Sequence, residues 1–119
     1  MKLRIKGNSI RFRLTKSEVE HFATKGIIQD AIHFSPQNFS YALEKSSAPN
    51  LSATFGNGKI NVFVPIEIAD QWVNSEQVSL EGNDGDLRIL IEKDFVCLNP
   101  RKDEDENDNF PHPNREQSC

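Results

Sequence analysis

The feature that most constrains this chain is that its pattern is written twice. Ile10, Phe12, Leu14, Val19, Phe22 and Ile28 are matched, at an offset of 50, by Ile60, Val62, Val64, Ala69, Trp72 and Val78. Gly7-Asn8 recurs as Gly56-Asn57 at an offset of 49, and the run from Phe39 to Lys45 recurs as Leu87 to Lys93 at 48. An offset that drifts by only two residues over so many positions points to internal duplication. Two copies are too few for a solenoid or propeller, which need about three or more. The expected solution is a pseudo-twofold unit in which each copy buries the apolar face of the other, as subunits of a symmetric dimer do.

Within each copy the hydrophobic period changes in the same order. Leu3 and Ile5 alternate with Lys2, Arg4 and Lys6, and after Gly7-Asn8-Ser9 the residues Ile10, Phe12 and Leu14 alternate with Arg11 and Arg13. Alternation on both sides of a Gly-Asn turn predicts a hairpin with one apolar and one charged face. Thr15-Lys16-Ser17-Glu18 fits a capping box, Val19, Phe22 and Ala23 follow at helical spacing, and Gly26 suits a left-handed helix end. Strands are expected at 27–34 and 39–43. The second copy predicts strands at 51–55 and 60–64 around Gly56-Asn57-Gly58, and then a helix with Pro65 in its first turn. Ile68, Ala69, Trp72 and Val73 form the apolar face of that helix. Strands at 78–80 and 87–91 close the copy around Gly82-Asn83-Asp84-Gly85.

The expected fold class is therefore mainly β (α+β), a pseudo-twofold barrel of about eight strands from two strand-strand-helix-strand-strand repeats. Phe12, Phe22, Val62, Trp72 and Ile89 are its expected core. A chain of 119 residues is enough for one domain. Residues 1–98 are expected to form it, repeat one at 2–45 and repeat two at 51–93. Residues 99–119 make an acidic, proline-containing tail, expected to pack on the domain through Phe110. No run reaches the ~18–20 apolar residues of a membrane span. The charged, alternating start lacks the apolar stretch of a signal peptide. Two cysteines, Cys97 and Cys119, are too few for a disulfide scaffold, and a cytoplasmic protein is expected.

Charge is unevenly distributed. Residues 1–16 carry six basic side chains and no acid, residues 17–98 carry five basic and twelve acidic, and residues 99–119 three basic and six acidic, which together give the net charge of -4. A basic hairpin on an otherwise acidic chain points to a polyanion site or to a contact with acidic protein surface.

The run Gly7-Asn8-Ser9-Ile10-Arg11-Phe12-Arg13-Leu14-Thr15 resembles the hairpin, strand and helix start of the AbrB/MazE family. There the helix usually begins at a proline, which Thr15 replaces in the first copy and Pro65 keeps in the second. That resemblance implies tandem halves interlocked as a swapped-hairpin barrel that often binds DNA. The second hairpin departs from it, offering Lys59 but Asn61 and Phe63 where the first has Arg11 and Arg13. The whole chain also resembles a group of short, uncharacterised bacterial proteins with a Cys-Leu-Asn-Pro-Arg and Phe-Pro-x-Pro tail, which implies no activity.

Lys2, Arg4, Lys6, Arg11 and Arg13, with Asn8 and Ser9 at the turn, are accordingly the candidate residues for nucleic-acid or anion binding. The ordinary alternative is a solvated face salt-bridged to the acidic middle of the chain. Asp103, Asp105 and Asn107 have the first spacings of a calcium loop, but Asp108 stands where glycine is needed and Asn114 where a bidentate glutamate is needed. Cys97, His21, His33 and His112 have no zinc-ligand spacing, and Glu44-Lys45 and Glu92-Lys93 read as exposed strand ends. No nucleophile is paired with a base, so no catalytic residue, cofactor or metal is expected. The expectation is a non-enzymatic binding or regulatory protein, plausibly monomeric, with nucleic acid or a protein as partner. A small phosphate-binding barrel with hydrolase activity and an antitoxin-like protein-binding module are the alternatives.

Overall fold

Residues 1–95 and Phe110 are described by the structure, a computed structural model. The chain runs β1 (Lys2–Ile5), β2 (Ser9–Leu14), α1 (Lys16–Lys25), β3 (Ile27–Ile32), β4 (Phe39–Ser46), β5 (Ser52–Gly56), β6 (Lys59–Pro65), α2 (Ile66–Val73), β7 (Ser79–Asp84) and β8 (Leu87–Lys93). It is mainly β, with two four-stranded sheets of order β1-β2-β8-β7 and β3-β4-β6-β5. Each sheet therefore takes one hairpin from each half. Within a hairpin the strands are antiparallel, but the halves meet in parallel ladders, Ser9–Arg88 to Leu14–Lys93 and Ser40–Lys59 to Ser46–Pro65.

Local chemistry explains where the elements start and stop. Thr15 caps α1 by accepting from the Glu18 amide, while Glu18 Oε1 accepts from the Thr15 amide at 2.9 Å. Gly26 ends the helix at φ 78°, its amide donating to the Phe22 carbonyl at 2.8 Å. Asn57 and Gly58 both have positive φ, the turn that a tight hairpin between β5 and β6 requires. A Cβ on Gly58 would also sit 2.8 Å from the Asn38 carbonyl oxygen, so the β3–β4 loop packs where only hydrogen fits.

Between the sheets lies an apolar layer in which Phe12, Leu14, Phe22, Leu43, Val62, Ala69, Trp72, Ile89 and Ile91 are wholly buried. All five expected core residues are among them. Phe22 of α1 meets Trp72 of α2 edge-on, ring centroids 6.4 Å apart. The Trp72 indole donates to the Val78 carbonyl at 3.0 Å, tying down the connection that leaves α2. At the ends of the last strands, two lysines behave alike. Lys45 Nζ lies 5.8 Å from the Phe22 ring and donates to the Ala23 carbonyl in the last turn of α1, with Asp70 as its ion partner. Lys93 Nζ lies 5.7 Å from the Trp72 ring and donates to the Ser75 carbonyl just beyond α2. In both, an ammonium satisfies a carbonyl at the negative end of a helix while its stem covers an aromatic ring.

Several expectations need correction. Glu44-Lys45 and Glu92-Lys93 are not exposed strand ends, because Lys93 is buried and Lys45 half-buried. Burial pulls the Lys93 ammonium below the ordinary lysine range, with the Glu76 charge opposing. The partner of Ile28 in the second half is Leu80, not Val78: Ile28 stands opposite Leu43 and Leu80 opposite Ile91. The cause is a helix two residues shorter followed by a longer connection, residues 74–78, where Gly26 alone serves in the first half. Pro65 ends β6 and caps α2 rather than occupying its first turn. Ile5, on the apolar side of its hairpin by alternation, is 59% exposed at the free end of an edge strand. β3 stops at Ile32, leaving His33 in the loop, whereas β4 and β8 run on to Ser46 and Lys93.

Expectations about Cys97, Cys119, His112 and the 103–108 run, and about the tail other than Phe110, lie outside the described residues. Phe110 itself is half-buried, its amide donating to the Asp94 carbonyl at 2.6 Å and its ring edge-on to Phe95. No helix among the described residues is long and apolar enough to cross a membrane.

The Phe22–Trp72 contact joins the helices of the two halves. Trp72→Ala and Phe22→Ala are each expected to cost about 3–5 kcal/mol in urea unfolding. The double variant should lose less than the sum, since each single change already removes the shared contact.

Candidate anion-binding site

The register of β1 on β2 places Lys2 opposite Arg13 and Arg4 opposite Arg11. Because alternate residues share a face, all four cations stand on the outer side of the first sheet, away from Leu3, Phe12 and the core. Together with Leu3, the strand residue between Lys2 and Arg4, they line a groove of about 330 Å³. Two like-charged pairs directly across a ladder are an unfavourable arrangement for the fold itself.

Strand β8 supplies part of the compensation. Glu92 stands beside Arg13 in the parallel ladder, and its Oε1 lies 2.7 Å from Arg13 Nε and 3.6 Å from Arg11 Nε. Lys2 Nζ lies 3.0 Å from Oδ2 of Asp94, whose side chain is 8% exposed. Arg4 and Lys6 make no ion pair among the described residues. Farther along the same face Arg88, beside Ser9, is paired with Glu81 at 3.1 Å.

The remaining sequence-derived candidates divide. Lys6 and Asn8 are exposed in the turn. The Ser9 hydroxyl donates to the Lys6 carbonyl at 2.6 Å, and the Asn8 carbonyl accepts from the Arg88 amide, so both residues brace the turn. Lys16, counted with the basic run, begins α1 and is not part of the hairpin. In the other sheet the corresponding hairpin pairs Ser52 with Phe63 and Thr54 with Asn61, and carries no cation at these four positions. The basic face is thus one-sided.

From the sequence Glu92 reads only as part of an exposed strand end, and Asp94 is not singled out. Charge alone could not single them out among the acids of the middle segment. The usable signal is the parallel pairing of the halves: setting Phe12 beside Ile91 puts Glu92 beside Arg13. A second concavity, about 520 Å³, opens between the β4–β5 connection, α2 and the β7–β8 hairpin. Its carboxylates are engaged, Glu81 with Arg88 and Asp84 with the Ala53 amide. No group of three or more metal-ligating side chains occurs among the described residues.

A family model described as "Family of unknown function (DUF7009)" matches residues 1–114. No curated protein and no solved structure matches the chain.

If the facing cations strain the hairpin, removing one should stabilise it. Arg4→Thr, which installs the residue found at the corresponding place in β5, is expected to raise stability by about 0.2–1 kcal/mol at low salt. The gain should shrink as salt screens the repulsion. Urea midpoints at low and high salt measure it.

Proposed function

The chain belongs to that family of unknown function, and we propose that it is a non-catalytic binding protein whose β1–β2 face takes a polyanion, with nucleic-acid phosphate as the preferred partner. The observation that carries this is the pair of like-charged rows, Lys2–Arg13 and Arg4–Arg11, held open to solvent around one groove. Folding alone gains nothing from placing cations opposite each other, whereas phosphate oxygens are met well by such rows. Successive residues on one face of a strand are ~6.6–6.8 Å apart, so the two rows can engage neighbouring phosphates along a strand.

The same reading takes the two sheets as sides of a pseudo-twofold, swapped-hairpin barrel of the AbrB/MazE kind. Supporting it are the recurrence of element order in the two halves and the sharing of each sheet between them. The chain departs from a DNA-binding dimer in having one basic hairpin rather than two. Beyond residue 16 it carries a net charge of -10, from -7 over 17–98 and -3 over 99–119, which repels a polyanion elsewhere. Against a small phosphate-binding barrel with hydrolase activity stands the filling between the sheets, where Phe12, Leu43, Val62, Ile89 and Ile91 are wholly buried.

Binding to a DNA duplex should be weak and strongly salt-dependent, log K falling with log salt at about -0.9 per phosphate neutralised. Arg11→Ala/Arg13→Ala should abolish most of it and flatten the slope. Absence of binding at the lowest salt would remove nucleic acid and leave an acidic protein partner as the occupant of this face.

A further inference from the structure

We propose that Glu92 is the resident counter-anion of the basic face, and that ligands bind by displacing it, which favours those offering two or more linked phosphates over single anions. This rests on the anion-binding reading above and adds its selectivity.

One carboxylate oxygen, Glu92 Oε1, serves both β2 arginines, at 2.7 Å from Arg13 Nε and 3.6 Å from Arg11 Nε. The Glu92 side chain is 17% exposed while those of Arg13 and Arg11 are 43% and 34% exposed, so the acid lies under the cations and their outer sides face solvent. A carboxylate held on the next strand competes as a tethered ligand, at an effective concentration that a free single anion must exceed. Its counterpart in the other half, Glu44, stands beside Phe63 and has no arginine to neutralise there. The acid at this position therefore has a charge role only where the hairpin is basic.

The four groove cations are not equally engaged. Lys2 is held by Asp94 and the two β2 arginines by Glu92, while Arg4 has no carboxylate partner among the described residues. A ligand with linked phosphates can seat one phosphate at Arg4 and then exchange a second for Glu92 on Arg11 and Arg13. A single phosphate gains only the first contact unless it displaces the tethered acid unaided.

The test uses the full chain as wild type, Glu92→Gln and Glu92→Asp, titrated with a labelled DNA duplex and separately with inorganic phosphate and pyrophosphate at low salt. Glu92→Gln is expected to bind the duplex about three- to tenfold more tightly than wild type, the size of two surface ion pairs of modest strength released. Inorganic phosphate should gain proportionately more than pyrophosphate, because the barrier it could not cross is gone. Glu92→Asp, which keeps the charge, should stay near wild type, and urea unfolding of each variant verifies that it is folded. A wild type that binds DNA together with a folded Glu92→Gln variant that binds equally or less well would overturn this inference and leave the anion-binding reading standing. An Asp variant that gains as much as the Gln variant would overturn it too. If neither wild type nor Glu92→Gln binds any of the three probes, the anion-binding reading and this inference fall together.

Discussion

The parallel ladders β2–β8 and β4–β6 are what the remainder of the structure depends on. A two-stranded hairpin alone is marginal in water, and each half of this chain makes two. Neither half pairs its own hairpins with each other; each lends one to a sheet completed by the other half. The apolar faces meet only when both sheets exist, because Phe12 and Leu14 lie beside Ile91 and Lys93 on one side and Leu43 lies beside Val62 on the other. The helices follow from the same arrangement, each bridging from one sheet to the other, with Phe22 on Trp72 where they cross.

Charge is arranged by the ladders as well. Arg13 and Glu92 are 79 residues apart in the chain and become neighbours only through β2–β8. On the inner side, the next residue along each strand pairs Leu14 with Lys93, whose ammonium turns over Trp72 towards the Ser75 carbonyl. One ladder thus carries a carboxylate outwards to the basic face and a lysine inwards to the end of a helix. The second ladder places Glu44 and Lys45 in the same way but sets Phe63 beside the acid, where the first ladder has Arg13.

Much of this was legible in the sequence wherever a residue acts within its own turn of chain. Thr15 with Glu18 marks the start of α1, Gly26 its end, and Asn57-Gly58 the tight hairpin, since each answers a local backbone requirement. Phe12, Phe22, Val62, Trp72 and Ile89 were readable as core because periodicity within one element decides which face is apolar. What could not be read locally was misread. Lys93 looked exposed because charge suggests solvent, yet its stem lies on Trp72 and its ammonium finds a carbonyl from another element. Alternation placed Ile5 on the apolar face of its hairpin, but an edge-strand end has nothing beyond it to cover the side chain. The Ile28–Val78 match failed because offsets count residues, whereas register is set by the strand opposite. At the candidate site the four groove cations were visible as an alternating stripe; Glu92 and Asp94 were not, since a neighbour supplied by the other half leaves no mark nearby.

Interlacing makes a direct demand on the energetics: neither half can open while the other stays closed. Native-state hydrogen exchange on the full chain measures this amide by amide. The central strands β2, β4, β6 and β8 are expected to share one opening free energy, equal to that of global unfolding. Protection that separates instead into one level for residues 9–46 and another for 59–93 would contradict it, because the halves would then be folding as independent units.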